Sequence, residues 1–269
     1  MIRHLTRIPG ARRLWSKFPI GSVSLRTEYD IWDRPHYAYG VYKSAQLARN
    51  LKLQEISVIE FGVAGGNGLV ALERIAEQVS QHLNIKISTF GFDTGQGMPP
   101  PTDYRDLPHV WQAGFYSMDQ NKLRSRLRTA ELVLGNVADT TSELTTRSNF
   151  PPIAFVAFDL DYYSSTKSAF GIFAGPSSSR LPRVHCYFDD IVWPEHACHN
   201  EYTGELCAIR EFNDENESQK ISKIPNLAWM RKYPARWNEQ IYIHHDFDHP
   251  SYCQLVTPPG DTYRERPLQ

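Results

Sequence analysis

The chain of 269 residues has no apolar run near the length of a bilayer span and no apolar segment typical of a secretory signal. It also lacks an excess of charge. The formal net charge is −1, which gives no electrostatic reason to expect a nucleic acid or a membrane surface as partner. Cysteine is scarce: Cys186, Cys198, Cys207 and Cys253 contain no C-x-x-C pair, so neither a zinc ribbon nor a thioredoxin-like motif is present. Reduced thiols in a cytoplasmic protein are the simplest expectation. No internal repeat argues for a solenoid, and no G-x-G-x-x-G run marks a dinucleotide site. One local deficit stands out. The first 26 residues contain no acid but include Arg3, Arg7, Arg12, Arg13, Lys17 and Arg26. Pro9, Gly10, Pro19 and Gly21 interrupt any long amphipathic helix there, so a poorly packed, solvated arm is expected rather than a transit peptide or membrane helix.

What is present is an alternation of strand and helix signals, which argues for a mainly parallel α/β sheet covered by helices. Strands are expected at 56–61, 85–92, 131–134, 153–158 and 184–188, with two further candidates at 221–224 and 240–245. Helical spacing of apolar residues runs over 37–51, 69–83 and 204–212. Asp119 reads as the cap of a helix reaching about 129, and Ser164, Ser165 and Thr166 as the cap of one reaching 173. The domain reading is a basic extension over 1–36, one α/β domain over 37–250 with an insertion over 94–117, and a tail over 251–269.

The chemistry concentrates at the ends of the expected strands. Asp159-Leu160-Asp161 follows the fourth strand and Asp189-Asp190 ends the fifth, which puts several carboxylates on the carboxyl edge of a sheet, where open α/β folds bind ligands. Carboxylates brought together repel, so either some hold protons or a cation lies between them. An all-oxygen set suits Mg²⁺ better than zinc or copper.

The first strand ends in Glu60-Phe61-Gly62-Val63-Ala64-Gly65-Gly66-Asn67-Gly68, a turn whose glycines let backbone approach a ligand at a helix N-terminus. Glu60 would face a cation rather than a pyrophosphate, and the ammonium of S-adenosylmethionine is such a cation; the alternative is a buried structural acid in a tight turn. Asp93 ends the second strand and can accept ribose hydroxyls or cap its turn. Asn136 and Val137, after the third strand, can meet an adenine edge or form an ordinary turn. Together these strand ends describe a site for an adenosyl ligand with a positive tail.

From about Tyr37 to Asn213 the sequence resembles the class I S-adenosylmethionine-dependent methyltransferases, and among them the macrocin O-methyltransferase family of Mg²⁺-dependent sugar O-methyltransferases. The likeness rests on Ile59-Glu60-Phe61-Gly62-Val63, on Phe92-Asp93-Thr94-Gly95-Gln96-Gly97-Met98-Pro99, on Asp159-Leu160-Asp161-Tyr162-Tyr163-Ser164-Ser165-Thr166 and on Phe188-Asp189-Asp190. It implies a Rossmann-like seven-stranded sheet of order 3-2-1-4-5-7-6, strand 7 antiparallel, with helices on both faces. It implies Mg²⁺ on Asp159, Asp189 and Asp190. The methyl donor would lie on Glu60, Gly62, Asp93 and Asn136, with Phe61, Val63, Ala64, Gly65, Asn67, Thr94, Val137 and Asp159 completing that set. The basic N-terminus, the 94–117 loop and the stretch from Trp237 to Pro250 depart from the family pattern.

The expected reaction is methyl transfer to a hydroxyl of a small molecule, a sugar or glycosylated metabolite. Asp159 holds the metal, and Asp161 acts as base, as a water-linked ligand or as a helix cap. His244 is a candidate auxiliary base within His244-His245-Asp246-Phe247-Asp248-His249, against the plainer reading of a surface strand end. A zinc site on His196, Cys198, His199 and Cys207 matches no trusted spacing. Tyr104, Arg105, Asp106, His109, Trp111, Phe115 and Tyr116 make the long loop a candidate lid. The competing readings are a metal-dependent glycosyltransferase, whose Asp-x-Asp would grip a nucleotide sugar, and a catalytically inactive S-adenosylmethionine-binding module. No nucleic acid or membrane partner is expected, and a homo-oligomer is compatible with the sequence.

Overall fold

The computed structural model describes residues 11–147 and 149–256; Arg3, Arg7 and most of the expected tail lie outside that range. Strands β1 (Glu55–Phe61), β2 (Lys86–Asp93), β3 (Glu131–Leu134), β4 (Ile153–Phe158), β5 (Arg180–Phe188), β6 (Gln219–Lys223) and β7 (Ile241–Asp246) form one sheet of order β3-β2-β1-β4-β5-β7-β6. β7 runs antiparallel to both β5 and β6, and the other pairings are parallel. This is the expected order and the expected antiparallel strand.

The central strands are apolar throughout because helices cover both their faces. Every residue of β4, Ile-Ala-Phe-Val-Ala-Phe, is buried. On one face lie α3 (Pro35–Asn50) and α4 (Asn67–Leu83); on the other lie α6 (Val137–Thr146), α7 (Tyr163–Ala169) and α8 (Gly204–Glu215). Phe170, Phe173 and Phe212 pack on the second face against Phe158 and Phe188. The short helix α5 (Gln120–Arg126) is capped by Asp119, as expected, and buries Leu123 against Val63 and Leu69. Among the described residues no helix is long and apolar enough to cross a membrane.

A row of phenylalanines crosses the carboxyl edge of the sheet. Phe61 pairs in register with Phe92 and Phe158, and Phe158 with Phe188. Their rings lie 5.0, 5.7 and 4.8 Å apart along that row. Each is followed by a residue singled out by the sequence: Gly62, Asp93, Asp159 and Asp189.

The expected solvated arm is a misreading beyond residue 21. Helix α1 (Ala11–Lys17) is followed by α2 (Val23–Glu28), whose first turn is closed by Ser22 Oγ accepting from Leu25 N at 3.2 Å. Val23, Tyr29, Ile31 and Trp32 are buried. Arg26 lies over the Trp32 ring at 4.2 Å and donates to Gln78 Oε1 at 2.6 Å, so this basic residue is part of the packing. Arg231, just after the short helix α9 (Leu227–Met230), pairs with Asp30 at 2.6 Å, both side chains buried. Pro and Gly end one short helix and start another here; they do not dissolve the segment.

Asp30 adopts φ +57°, a conformation asparagine also tolerates, so Asp30→Asn removes the charge and keeps the turn. Because Arg231 would stay buried without its anion, urea denaturation is expected to show a loss of about 3–5 kcal/mol. A loss under about 1 kcal/mol would mark the pair as no stronger than an exposed one.

Candidate functional site

A cavity of ≈ 770 Å³ opens at the carboxyl edge of the sheet, lined by the glycine turn, by Asp93, Asn136 and Val137, and by Asp159, Asp161, Asp189 and Asp190. The turn owes its shape to close approaches. Gly62, at φ +84°, sits where a Cβ would lie 1.7 Å from the Asp159 carbonyl oxygen, so only glycine lets β1 turn beneath the tip of β4. Gly68, at the start of α4, leaves room for Glu60, since a Cβ there would lie 1.8 Å from Glu60 Oε1.

Glu60 is 1% exposed. Its Oε1 accepts from the Tyr37 hydroxyl at 2.5 Å, and its Oε2 has no hydrogen-bond partner among the described residues. Burial pushes this carboxyl up to about 7, against the lowering effects of the Tyr37 hydrogen bond and of Arg34. An orphaned buried acceptor beside an open cavity suits a donor with a cationic tail. Asp93 has another task besides facing the cavity. Its Oδ2 accepts from Val63 N and Ala64 N at 2.9 and 2.8 Å, and its Oδ1 from Gly95 N at 2.6 Å. Those bonds tie the two loops together and use three of the roughly four lone-pair sites of a carboxylate. Asn136 caps α6, its Oδ1 accepting from Ala138 N at 2.9 Å, which leaves its amide N–H groups at the cavity.

Phe61 does not reach the cavity. Neighbouring residues of a strand face opposite ways, so with Glu60 and Gly62 on the cavity side its ring joins the buried phenylalanine row. Val63, Ala64, Gly65, Asn67 and Thr94 do line the cavity.

Asp159, Asp189 and Asp190 each bring one oxygen to within 4.8 Å of the others. The pKa of Asp159 is raised by burial first, then by Asp189, Glu60 and Asp161; that of Asp190 by burial, then by Asp161 and Glu205. Tyr187 OH donates to Asp189 Oδ1, and Asp161 N donates to Asp190 Oδ2 at 3.0 Å. These few donors leave most carboxylate lone pairs free. Three oxygens with surplus negative charge form a donor set that fits a hard divalent cation. The set His196, Cys198, His199 and Cys207 forms no comparable cluster among the described residues.

Asp161 reaches the site by a route other than strand alternation. β4 stops at Phe158, and Asp161, at φ +60°, turns back beside Asp190. Its carboxyl is pushed up to about 7 by burial, with the Asp190 hydrogen bond lowering it and Asp189 raising it. His244 is elsewhere. It pairs with Val184 in the middle of β5, so five residues, roughly 16 Å of strand, separate it from the level of Asp189. Its ring is buried flat against Phe173 at 3.9 Å and lies within 2.9 Å of Gln219. An antiparallel strand carries its last residues away from the edge where parallel strands end. Gln240, before the first residue of β7, is near instead and donates to the Asp189 carbonyl at 2.7 Å.

Several contributors had no sequence signal. Arg34 and Tyr37 come from the segment before β1, and Tyr187 from within β5. Glu205, fully buried on the apolar face of α8, accepts from Asp190 N at 3.0 Å through one oxygen. An acid on a buried helical stripe was its one available clue. The opposite wall holds Val110, Trp111, Tyr116, Trp193, Pro194 and His196. The long loop is pinned, not detached: buried Asp106 accepts from Thr102 N, Ser164 N and Ser164 Oγ at 2.7, 2.8 and 2.9 Å, while Leu107 and Trp111 pack with Tyr162 and Ala197.

No protein-family profile and no curated sequence matches the chain. Solved structures do. The calicheamicin methyltransferase CalS11 aligns over 91% of this chain and 92% of its own, with TM-score 0.52 and 19% identity. The O-methyltransferase NovP aligns over 79% of each chain, with TM-score 0.50 and 12% identity. At such identity the likeness is one of fold, the Rossmann-like fold of class I methyltransferases.

The raised carboxyls set a pH dependence. Glu60 holds its proton to about 7 when folded but only to about 4.3 when unfolded, so the folded state binds more protons between these values. Its contribution to stability is present below about pH 4.3 and lost as pH rises toward 7, roughly 4 kcal/mol for this group. Chelator-treated protein is expected to melt lower at pH 8 than at pH 5, and Glu60→Gln to flatten the change; equal slopes in both proteins would rule out this cause.

Proposed function

We propose that the protein is an S-adenosylmethionine-dependent, Mg²⁺-dependent O-methyltransferase acting on a hydroxyl of a small molecule, a sugar or glycosylated metabolite. One observation carries this reading: Glu60 and Asp93, from the early strands, and Asp159, Asp189 and Asp190, from β4 and β5, line a single cavity. The sulfonium donor supplies an activated methyl group. A divalent cation held by Asp159, Asp189 and Asp190 would supply Lewis acidity that makes an acceptor hydroxyl easier to deprotonate.

In this reading the chain's own groups do the placing. Glu60 and the backbone of the glycine turn hold the donor's amino-acid end, while Asp93 and Asn136 hold its nucleoside. Asp159, Asp189 and Asp190 would hold the cation, with Tyr187 OH on the Asp189 carboxylate, Asp161 N on that of Asp190, and Glu205 on the Asp190 backbone N–H. Asp161, lining the cavity beside Asp190, is the carboxylate placed to take the acceptor's proton. Trp111, Tyr116 and Trp193 offer ring faces to the acceptor and keep water from the reacting oxygen. Alignment of that oxygen with the methyl group supplies several kcal/mol of the barrier reduction, up to ~7–11 in an ideal case. His244, buried some distance off, has no part in it.

Calorimetry with S-adenosylhomocysteine against UDP and GDP separates this reading from a nucleotide-sugar transferase; heat only with the diphosphates would sink it. Asp189→Ala is expected to leave S-adenosylhomocysteine binding largely intact and to reduce methyl transfer by about 100-fold or more, since a metal contributes several kcal/mol. Wild-type turnover in Asp189→Ala, or in chelator, would remove the cation from the reaction.

A further inference from the structure

Arg34 lines the cavity beside Glu60, Gly62 and Asp159, although it stands outside every strand-tip motif. Pro35, the first residue of α3, bars the residue before it from helical backbone, and Arg34 stands at φ −122°, ψ 81°. That conformation directs its side chain across the face of Tyr37, with the guanidinium 5.2 Å from the ring centre. Three other arginines have carboxylate partners, Arg231 with Asp30 at 2.6 Å, Arg180 with Asp246 at 2.7 Å and Arg105 with Asp103 at 2.7 Å, while buried Arg26 donates to Gln78 Oε1. Among the described residues Arg34 has no carboxylate within ion-pairing distance. Burial lowers its pKa, but Tyr37 and then Glu60, Asp159 and Asp189 raise it by more.

Tyr37 keeps the nearest opposite charges apart. Its ring supports Arg34 and its hydroxyl occupies Glu60 Oε1, which leaves Glu60 Oε2 buried without a partner. A cation and an anion thus flank the same end of one cavity, each with hydrogen-bonding capacity unused. The complement of that pair is a zwitterion carrying an ammonium and a carboxylate on one carbon.

We propose that Arg34 binds the α-carboxylate of the methyl donor's amino-acid end, opposite Glu60, whose Oε2 receives the α-ammonium. The assignment rests on the methyl-donor reading above and adds to it a specificity residue from outside the strand-tip motifs. Recognition is then divided: the strand ends select the nucleoside, and the two charges before and after Tyr37 select a free α-amino acid. A planar guanidinium can bind the carboxylate through two parallel N–H bonds, which a lysine cannot reproduce.

The test compares Arg34→Leu and Arg34→Lys with the wild-type chain in calorimetric titrations without metal. The probes are S-adenosylhomocysteine, its decarboxylated analogue, and methylthioadenosine, which lacks the whole amino-acid end. A charge-assisted bond is worth about 1.5–3 kcal/mol, so Arg34→Leu is expected to weaken S-adenosylhomocysteine by roughly 10- to 100-fold. Arg34→Lys should recover part of that loss. Both variants should bind the decarboxylated analogue and methylthioadenosine as the wild type does. Equal weakening of all three probes in both variants would overturn the assignment and make Arg34 structural. Unchanged S-adenosylhomocysteine affinity with tighter Mg²⁺ binding would overturn it too, making Arg34 a counter-ion to the aspartates. If the wild-type chain bound none of the probes, the methyl-donor reading itself would fall.

Discussion

The arrangement depends on the alignment of the parallel strands at their carboxyl ends. Phe61, Phe92, Phe158 and Phe188 lie in register, ring beside ring, and are buried, with Phe170 and Phe173 packed on the row. Just beyond them the ladder continues by single hydrogen bonds: Gly62 N to Phe92 O at 2.9 Å, Asp159 N to Phe61 O at 3.0 Å and Asp189 N to Phe158 O at 3.0 Å. The rings level the strands and the bonds lock that level. A slip of one residue in any strand would turn its phenylalanine to the opposite face and take its polar tip off the common level. Packing within the sheet thus sets the geometry of the polar groups at its carboxyl edge.

Those polar groups make the site electrostatically unfinished. Glu60, Asp159, Asp161, Asp190 and Glu205 all have raised pKa values because burial removes water and neighbours of like sign add repulsion. Ordinary folding selects against such a cluster. Glu73 shows what a settled carboxylate looks like in this protein. One of its oxygens accepts from Arg128 N, Thr129 N and Ala130 N at 2.9, 2.5 and 2.6 Å, and those backbone bonds lower its pKa although burial opposes them. Nothing similar stabilises the cavity group, so it has the character of a receptor for cations.

Much of this was legible in the chain, and the reasons differ by element. β3 and β4 begin and end where expected, because an apolar run bounded by polar residues leaves little freedom. β5 is longer than expected by Arg180 to Arg183: a buried Arg180, paired with Asp246, and a proline concealed the strand's first half. Helix α6 starts directly at the end of β3 and is rich in threonine, so its sequence carries little apolar spacing although Asn136 is a sound cap. Carboxylates at strand tips could be found since their positions follow from the strand itself. His244 was misjudged because direction along an antiparallel strand is a property of the sheet, not of the sequence near it. Arg34, Tyr37 and Glu205 stayed hidden for a related reason. Their place at the cavity comes from helices docking across the fold, which no local spacing encodes.

Asp30 and Arg231 are 201 residues apart in sequence and in direct contact in space. Synthesis proceeds from the N-terminus, so the segment holding Asp30 waits until nearly the whole chain has emerged before its partner exists. Arg34 lies four residues beyond Asp30 on the same docked segment. A chain that stops short of Arg231 also lacks β7, the strand that joins β5 to β6, so the flank where the first-made residues belong and that edge of the sheet are completed together.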